Sequence, residues 1–371
     1  MPKPSPQASP NGRGRKNRLD FCVDLNPSPS GRGIYNNDIF LIAMSLLILN
    51  HSDVEQLLPM NECIIVMEEA FTALGRDEFH QPLRTIIKPP NVKGVMALMP
   101  TFRAGEAPLF GLKAICVFPG NAGIGKDAHQ GGVILFDGTN GEPLAMVNAS
   151  AITAIRTAAV SGLATRLLAR EDAGDLAIIG AGVQARTHLA AILCVRDLKR
   201  IRVAARRFAS AQTFAQEMRN QSPCLIEPVE SNEAAVRGAD IIVTVTTTRE
   251  PVVNREWVSP GAHLNAVGTY SFNAREIDTA TMKAASLFVD RRESALNEAG
   301  DFLIAAKEGA FGPDHIRAEL SEVVNGSHPG RTSPEEITVF KSLGLAMEDL
   351  AAATYCFRKA RQENRGTWVD F

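Results

Sequence analysis

The run Gly180-Ala-Gly-Val-Gln-Ala185 follows a short apolar stretch, Asp175-Leu-Ala-Ile-Ile179. It precedes a helical apolar pattern through His188, Leu189, Ala191, Ile192 and Leu193. Strand, G-x-G-x-x-A and helix, in that order, make a cradle for a dinucleotide pyrophosphate. Gly180 permits the tight turn, Gly182 lets the backbone approach the phosphates, and Ala185 lets the helix pack on the sheet. The free N–H groups and positive dipole of the helix N-terminus then face the anion. Glycine turns also arise for steric reasons alone, but the flanking strand and helix favour binding. At the end of the next predicted strand, residues 200–205, an NAD site usually carries Asp or Glu for the ribose 2′-hydroxyl. This chain has Ala204-Ala205-Arg206-Arg207 there. Two guanidinium groups suit a 2′-phosphate, so NADP(H) is favoured, with NAD(H) the alternative. The plainer reading is two solvated surface arginines.

Upstream stand three cations in mild surroundings. Arg84 lies in the strand-like Gln81-Pro-Leu-Arg-Thr-Ile-Ile87, and Lys113 in Phe110-Gly-Leu-Lys-Ala-Ile-Cys-Val-Phe118. Arg156 lies near the start of an Ala-rich helix, in Ile152-Thr-Ala-Ile-Arg-Thr-Ala-Ala159. A lysine between apolar neighbours is costly to bury unless it is paired or used. The alternative is a strand edge from which Lys113 reaches solvent. Together the three cations suit a carboxylate, an arginine pairing with it bidentately. Spacing alone does not bring them together.

A scaffold for these residues is legible around them. Predicted strands at 175–179, 200–205, 239–246, 263–267 and 287–289 alternate with helices such as 208–218. The strand at 239–246 ends in a polar Thr-Thr-Thr turn beside the expected cofactor. This pattern indicates an α/β fold with a doubly wound, mostly parallel sheet and ligands at the carboxyl ends of its strands. At roughly 150 residues per domain, 371 residues make about two domains. The 39 basic and 41 acidic residues nearly balance, which argues against a nucleic-acid binder. Six scattered cysteines with no C-x-x-C exclude a zinc ribbon, give no metal site and fit a reducing cytoplasm.

Residues 1–43 are read as a disordered extension or an upstream segment foreign to the folded unit, because their first 38 are rich in Pro, Ser, Gly, Asn and Arg. Residues 39–49 read IFLIAMSLLIL, of signal-peptide length but without a small-residue cleavage site behind them. The run is too short to span a bilayer. The simpler expectation is a first strand at Leu46–Leu49 and a helix capped by Ser52.

Several longer stretches resemble the ornithine cyclodeaminase/μ-crystallin family: FGLKAICVFPGN, GGVILFDGTNGEPLAMV, ITAIRTAAVSGLA, IGAGVQARTHLAA, HLNAVG and EEITVFKSLGLAMEDLAAA. They run in order from about Leu46 to Ala360. The resemblance implies a Rossmann domain, 166–325, inserted in a second α+β domain, 44–165 plus 326–371. That second domain binds substrate and makes a homodimer. The resemblance further implies hydride transfer on a small amino or imino acid. Arg84, Lys113 and Arg156 match the substrate pocket, with Lys113 catalytic. Thr157, Gly180, Gly182, Val183, Gln184 and Ala185 match cofactor contacts, and Thr246 and Val267 match residues near the nicotinamide. Lys341 and Ser342 face the same cleft or serve as helix-start and packing residues.

One departure changes the implied chemistry. Where the cyclodeaminases carry a catalytic aspartate, two residues after the glycine of HLNAVG, this chain has Tyr270. A tyrosine of ordinary pKa, about 10, is a poor base at neutral pH. Glu276 and Asp278 are close by, but Arg275-Glu-Ile-Asp278 reads as a helix entry. Preference therefore moves to reduction of an α-imino acid such as 1-pyrroline-2-carboxylate. A cyclodeaminase, an alanine-type dehydrogenase and a catalytically weak nicotinamide-binding protein stand as rivals. On the favoured reading, Lys113→Met abolishes turnover and leaves NADPH affinity nearly unchanged. Near-normal turnover of that variant removes Lys113 from the mechanism.

Overall fold

The structure is a computed structural model that describes residues 45–371; the expected extension at 1–43 lies outside the described residues. Along the chain run β1 (Ser45–Leu49), α1 (His51–Leu57), α2 (Met60–Leu74), β2 (Phe79–His80), β3 (Thr85–Ile87), β4 (Val95–Arg103), β5 (Leu109–Val117), β6 (His129–Asp137), β7 (Pro143–Asn148) and α3 (Ala149–Leu168). There follow β8 (Asp175–Ile179), α4 (Val183–Leu193), β9 (Arg200–Ala204), α5 (Phe208–Met218), β10 (Ile226–Pro228), α6 (Asn232–Val236), β11 (Ile241–Thr244), β12 (His263–Ala266), α7 (Thr279–Ala284) and β13 (Ser286–Val289). Last come α8 (Arg292–Glu298), α9 (Gly300–Lys307), β14 (Ile316–Glu319), α10 (Leu320–Val324), β15 (Thr338–Lys341), α11 (Ala346–Glu363) and β16 (Thr367–Asp370).

Two sheets result. The first has the order β16-β1-β7-β6-β5-β4-β2, with β3 also paired to β4. It is antiparallel except for the β1–β7 pair. Its inner face packs under α2, α3 and α11 around Leu47, Phe71, Leu135, Ile152 and Leu350. The second sheet, β10-β9-β8-β11-β12-β15-β13-β14, is wholly parallel. Its two faces carry separate apolar clusters, one built on Leu264, Val339 and Phe302, the other on Ile178, Leu189 and Phe214. The chain order reverses between β8 and β11, and at such a switch point the loops diverge and leave a crevice.

Local chemistry accounts for the ends of these elements. Asn50 caps α1: its Oδ1 accepts from the Asp53 amide at 3.0 Å, and Asp53 Oδ2 accepts from the Asn50 amide at 2.9 Å. That reciprocal box replaces the expected Ser52 cap, which sits inside the helix. Helix α3 is capped by Asn148 and is buried on nearly every side, so it carries no polar stripe. It forms a central post between the two sheets, touching β6 on one side and β12 and β15 on the other.

The expected domain boundary at 325 falls too early. Residues 338–341, assigned by sequence to the substrate domain, form β15 between β12 and β13 of the second sheet. Only α11 and β16 pack back on the first sheet. The cause is the apolar pair Val339 and Phe340, both fully buried, which a parallel sheet covered on two faces accommodates best.

Candidate active site

The dinucleotide cradle forms at the switch point. Gly180 has φ +122°, and a Cβ there would lie 2.7 Å from the Val245 carbonyl oxygen, so only glycine fits the turn. Gly182 is the N-cap of α4 and no side chain caps the helix. A Cβ on Gly182 would meet nothing within 4 Å, so the space above the free amides is open. Ala185 is fully buried in the first turn of α4. Gly180, Gly182, Arg206, Arg207 and Thr246 all line one cleft of about 550 Å³. Arg206 and Arg207 are exposed on its rim. Val183 and Gln184 open α4, and the Gln184 Oε1 is buried without a partner. A long cleft, free helix amides and two exposed guanidinium groups fit a dinucleotide with its phosphates on α4.

The strand ends facing this cleft are tied by buried acids. Glu276 is fully buried. Its Oε1 accepts from the Thr246 amide and hydroxyl, both at 2.7 Å, and its Oε2 from the Thr244 hydroxyl at 2.9 Å and the Gly268 amide at 2.7 Å. It therefore is not an ordinary helix-entry residue; that part falls to Asp278, which caps α7. The Thr246 hydroxyl is committed to Glu276, and Val267 donates its amide to the Thr244 carbonyl oxygen. Asp301 receives the Glu276 and Ile277 amides at 2.7 and 2.9 Å and pairs with Lys341 Nζ at 2.8 Å. Lys341 also donates to the Thr269 carbonyl at 2.7 Å. Its ammonium is thus spent on anchoring the 268–277 loop. Of the two expectations for Lys341 and Ser342, cleft residues or helix-start and packing residues, the buried position of Lys341 at the end of β15 agrees with packing, and its ammonium acts as an anchor. Ser342 is buried beside it, its Oγ unpartnered.

The three sequence-selected cations converge. Lys113 is 3% exposed on the inner face of β5, in line with buried Gly111, Ile115 and Val117. The strand lies between β4 and β6, so the solvent-reaching alternative does not hold. Its Nζ lies 2.7 Å from Asp349 Oδ2. The other oxygen of that carboxylate accepts from Arg156 Nε at 2.9 Å, and Arg156 Nη1 pairs with Glu348. Arg84, one residue before β3, donates through Nη2 to the Leu343 and Gly344 carbonyls, both at 2.9 Å, and pairs with Glu298 at 3.0 Å. Asp290 holds the same turn from the other side, accepting the Leu343 and Gly344 amides at 2.6 and 2.8 Å. Gly344 has φ +79°, and a Cβ there would lie 2.5 Å from Arg156 Nη1, so this turn abuts both arginines. Thr157 follows Arg156 on α3 and is buried. Tyr270 is 45% exposed; partial burial raises its pKa, and Arg84 opposes that rise.

Burial sets the protonation of the cluster. Lys113 is pushed down to about 8 by loss of solvent, with Arg156 and Arg84 acting in the same sense and Asp349 opposing. Glu348 is pushed up to about 7 by burial, with Asp290 and Asp349 adding and Arg156 opposing. His129, at the start of β6, is held below its ordinary value by burial and by Lys113 and Arg156. A lysine poised near neutrality beside two arginines can give a proton to a bound anion-bearing ligand.

The sequence model described as the ornithine cyclodeaminase/mu-crystallin family matches residues 44–364. A Delta(1)-pyrroline-2-carboxylate reductase of Bacillus cereus is 38% identical over 334 residues, covering 88% of this chain and 100% of that protein. The ketimine reductase mu-crystallin of Mus musculus is 41% identical over 273 residues, covering 74% of this chain and 83% of that one. Among solved structures, Thermococcus litoralis Delta(1)-pyrroline-2-carboxylate reductase in complex with NADH and L-proline superposes with a TM-score of 0.84 at 41% identity, covering 87% of this chain and 99% of that one.

Replacing Lys341 by Met strands Asp301 in the interior. The expected loss is about 3–5 kcal/mol of unfolding free energy, read from a urea melt. A loss below about 1 kcal/mol would show that the anchor is dispensable.

Proposed function

The chain belongs to the ornithine cyclodeaminase/mu-crystallin family, and from that premise we propose that it is a nicotinamide-dependent oxidoreductase reducing the C=N bond of a small α-imino acid. The substrate class includes 1-pyrroline-2-carboxylate, which would be converted to proline. The observation that carries this reading is the convergence of Lys113, Arg156 and Arg84 on one buried cluster.

The Gly180–Ala185 turn, the free amides of α4 and the rim arginines Arg206 and Arg207 would hold a reduced nicotinamide dinucleotide, which would supply the hydride for an imine carbon. The protein supplies the rest. The substrate carboxylate sits against the guanidinium groups of Arg84 and Arg156, which fixes the imine relative to Lys113. Lys113, largely protonated at neutral pH with a pKa of about 8, donates a proton to the imine nitrogen and is reprotonated from solvent. One hydride and one proton thus turn C=N into CH–NH. Tyr270, protonated and facing solvent, offers no base for the ring-closing deamination of a cyclodeaminase.

Arg206 and Arg207, with no carboxylate at the end of β9, support NADP(H) as the preferred partner. The five described cysteines are all free, in keeping with a cytoplasmic setting, and no described helix is long and apolar enough to cross a membrane. A homodimer is supported by the outer face of the first sheet. There the rings of Phe102 and Phe110 meet at a tilt, centroids 4.7 Å apart, and Met96, Phe110 and Met146 are 38%, 47% and 41% exposed, a patch suited to a second copy.

Purified protein is expected to oxidise NADPH rapidly with 1-pyrroline-2-carboxylate and to form proline, followed by absorbance with NADH in a parallel cuvette. Faster loss of NADH would keep the enzyme and discard the part given to Arg206 and Arg207. No oxidation of either, with cofactor binding intact, would overturn the reductase reading. Light scattering is expected to give the mass of two chains; a monomer at micromolar concentration would refute the dimer.

A further inference from the structure

Lys113 reaches its site from β5, Arg156 from α3, and both are almost fully buried. Neither element fixes the distance between their charged ends. The side chain of Asp349 does, because its two oxygens address different cations: Oδ2 lies 2.7 Å from Lys113 Nζ and Oδ1 lies 2.9 Å from Arg156 Nε. We propose that Asp349 is a positioning residue for the reduction, setting the spacing of Lys113 and Arg156 and keeping the Lys113 ammonium charged and aimed. The inference rests on the reading of Lys113 as proton donor.

Three features separate this role from simple charge balance. Glu348 also meets Arg156, through Nη1, so Asp349 is not the sole acid on Arg156. Asp349 is the one acid within ion-pair distance of Lys113 among the described residues. The contact with Asp349 is an ion pair by distance, and no hydrogen bond from Lys113 Nζ is found among the described residues, so its protons remain for a ligand. The acid also stands on a rigid base. Glu348 and Asp349 occupy the first turn of α11, where the helix dipole favours carboxylates. Consecutive positions there point about 100° apart, as 3.6 residues per turn requires, so the two acids meet different nitrogens of Arg156.

The titratable and charged groups around Lys113 are Asp349 on α11, Arg156 on α3, Arg84 before β3 and His129 on β6, the last held toward its neutral form, while Glu348 on α11 meets Arg156 instead. Only Asp349 is negative and in contact. Two cations and the loss of solvent favour the neutral amine, and Asp349 holds the balance toward ammonium. With Lys113 as acid, activity is present below its pKa and falls as pH rises through about 8. Removing the negative charge must move that fall to lower pH.

The test measures kcat and kcat/KM for 1-pyrroline-2-carboxylate against pH, with NADPH affinity read by fluorescence. Asp349→Asn is expected to lower kcat roughly tenfold or more and to move the alkaline limb of kcat/KM down by roughly one unit or more, with NADPH affinity retained. An unmoved limb overturns the proposal. Asp349→Glu keeps the charge on a longer arm; its limb should stay in place while kcat falls, and wild-type kcat would overturn the spacing role. That second variant decides the matter if the asparagine protein does not bind NADPH. Normal turnover of Lys113→Met would instead sink the proton-donor reading itself, whatever the Asp349 variants do.

Discussion

Placing Lys113 and Arg156 within a packed interior is the constraint around which the active region is organised. Each charge taken from water costs several kcal/mol, and β5 and α3 contain no acid to offset it. The compensation comes from the far end of the chain, where α11 delivers Glu348 and Asp349 into the same volume. The seating of α11 on the first sheet is therefore an electrostatic requirement as well as a packing one. Breaking it would uncover apolar surface and leave two cations without partners.

The same solution recurs at three further loops of the active region. Glu276 gathers the ends of β11 and β12 through four hydrogen bonds. Asp301 and Lys341 fix the loop that carries Tyr270. Asp290 and Arg84 grip the Leu343–Gly344 turn from its amide and carbonyl sides. Loops at strand ends have backbone groups with no sheet partner, and buried carboxylates satisfy several amides at once. The resulting walls are preorganised, so little ordering remains to be done when a small ligand binds.

Much of this was legible in the residues. The glycine turn, its flanking strand and helix, and the missing carboxylate after β9 all announce a dinucleotide site through neighbours in sequence. Arg84, Lys113 and Arg156 stood out because a cation among apolar residues needs a reason. Residues 208–218 appear as the helix expected from their periodicity. Asn50 in place of Ser52 as the α1 cap is a shift of two residues, decided by which side chain reaches the free amides.

Sequence by itself determined what depends on short range: the periodicity of strands and helices, the turn that only glycine can make, and the types of residue available for binding anions. Tertiary structure decided which acid meets which cation. Arg156 and Asp349 lie 193 positions apart, and no local pattern links them. Glu276 looked like a helix entry, Lys341 stood open between a cleft residue and a packing one, and 338–341 were assigned away from the sheet they complete. In each case burial strips away water, and the folded chain must then find the partner that water had been.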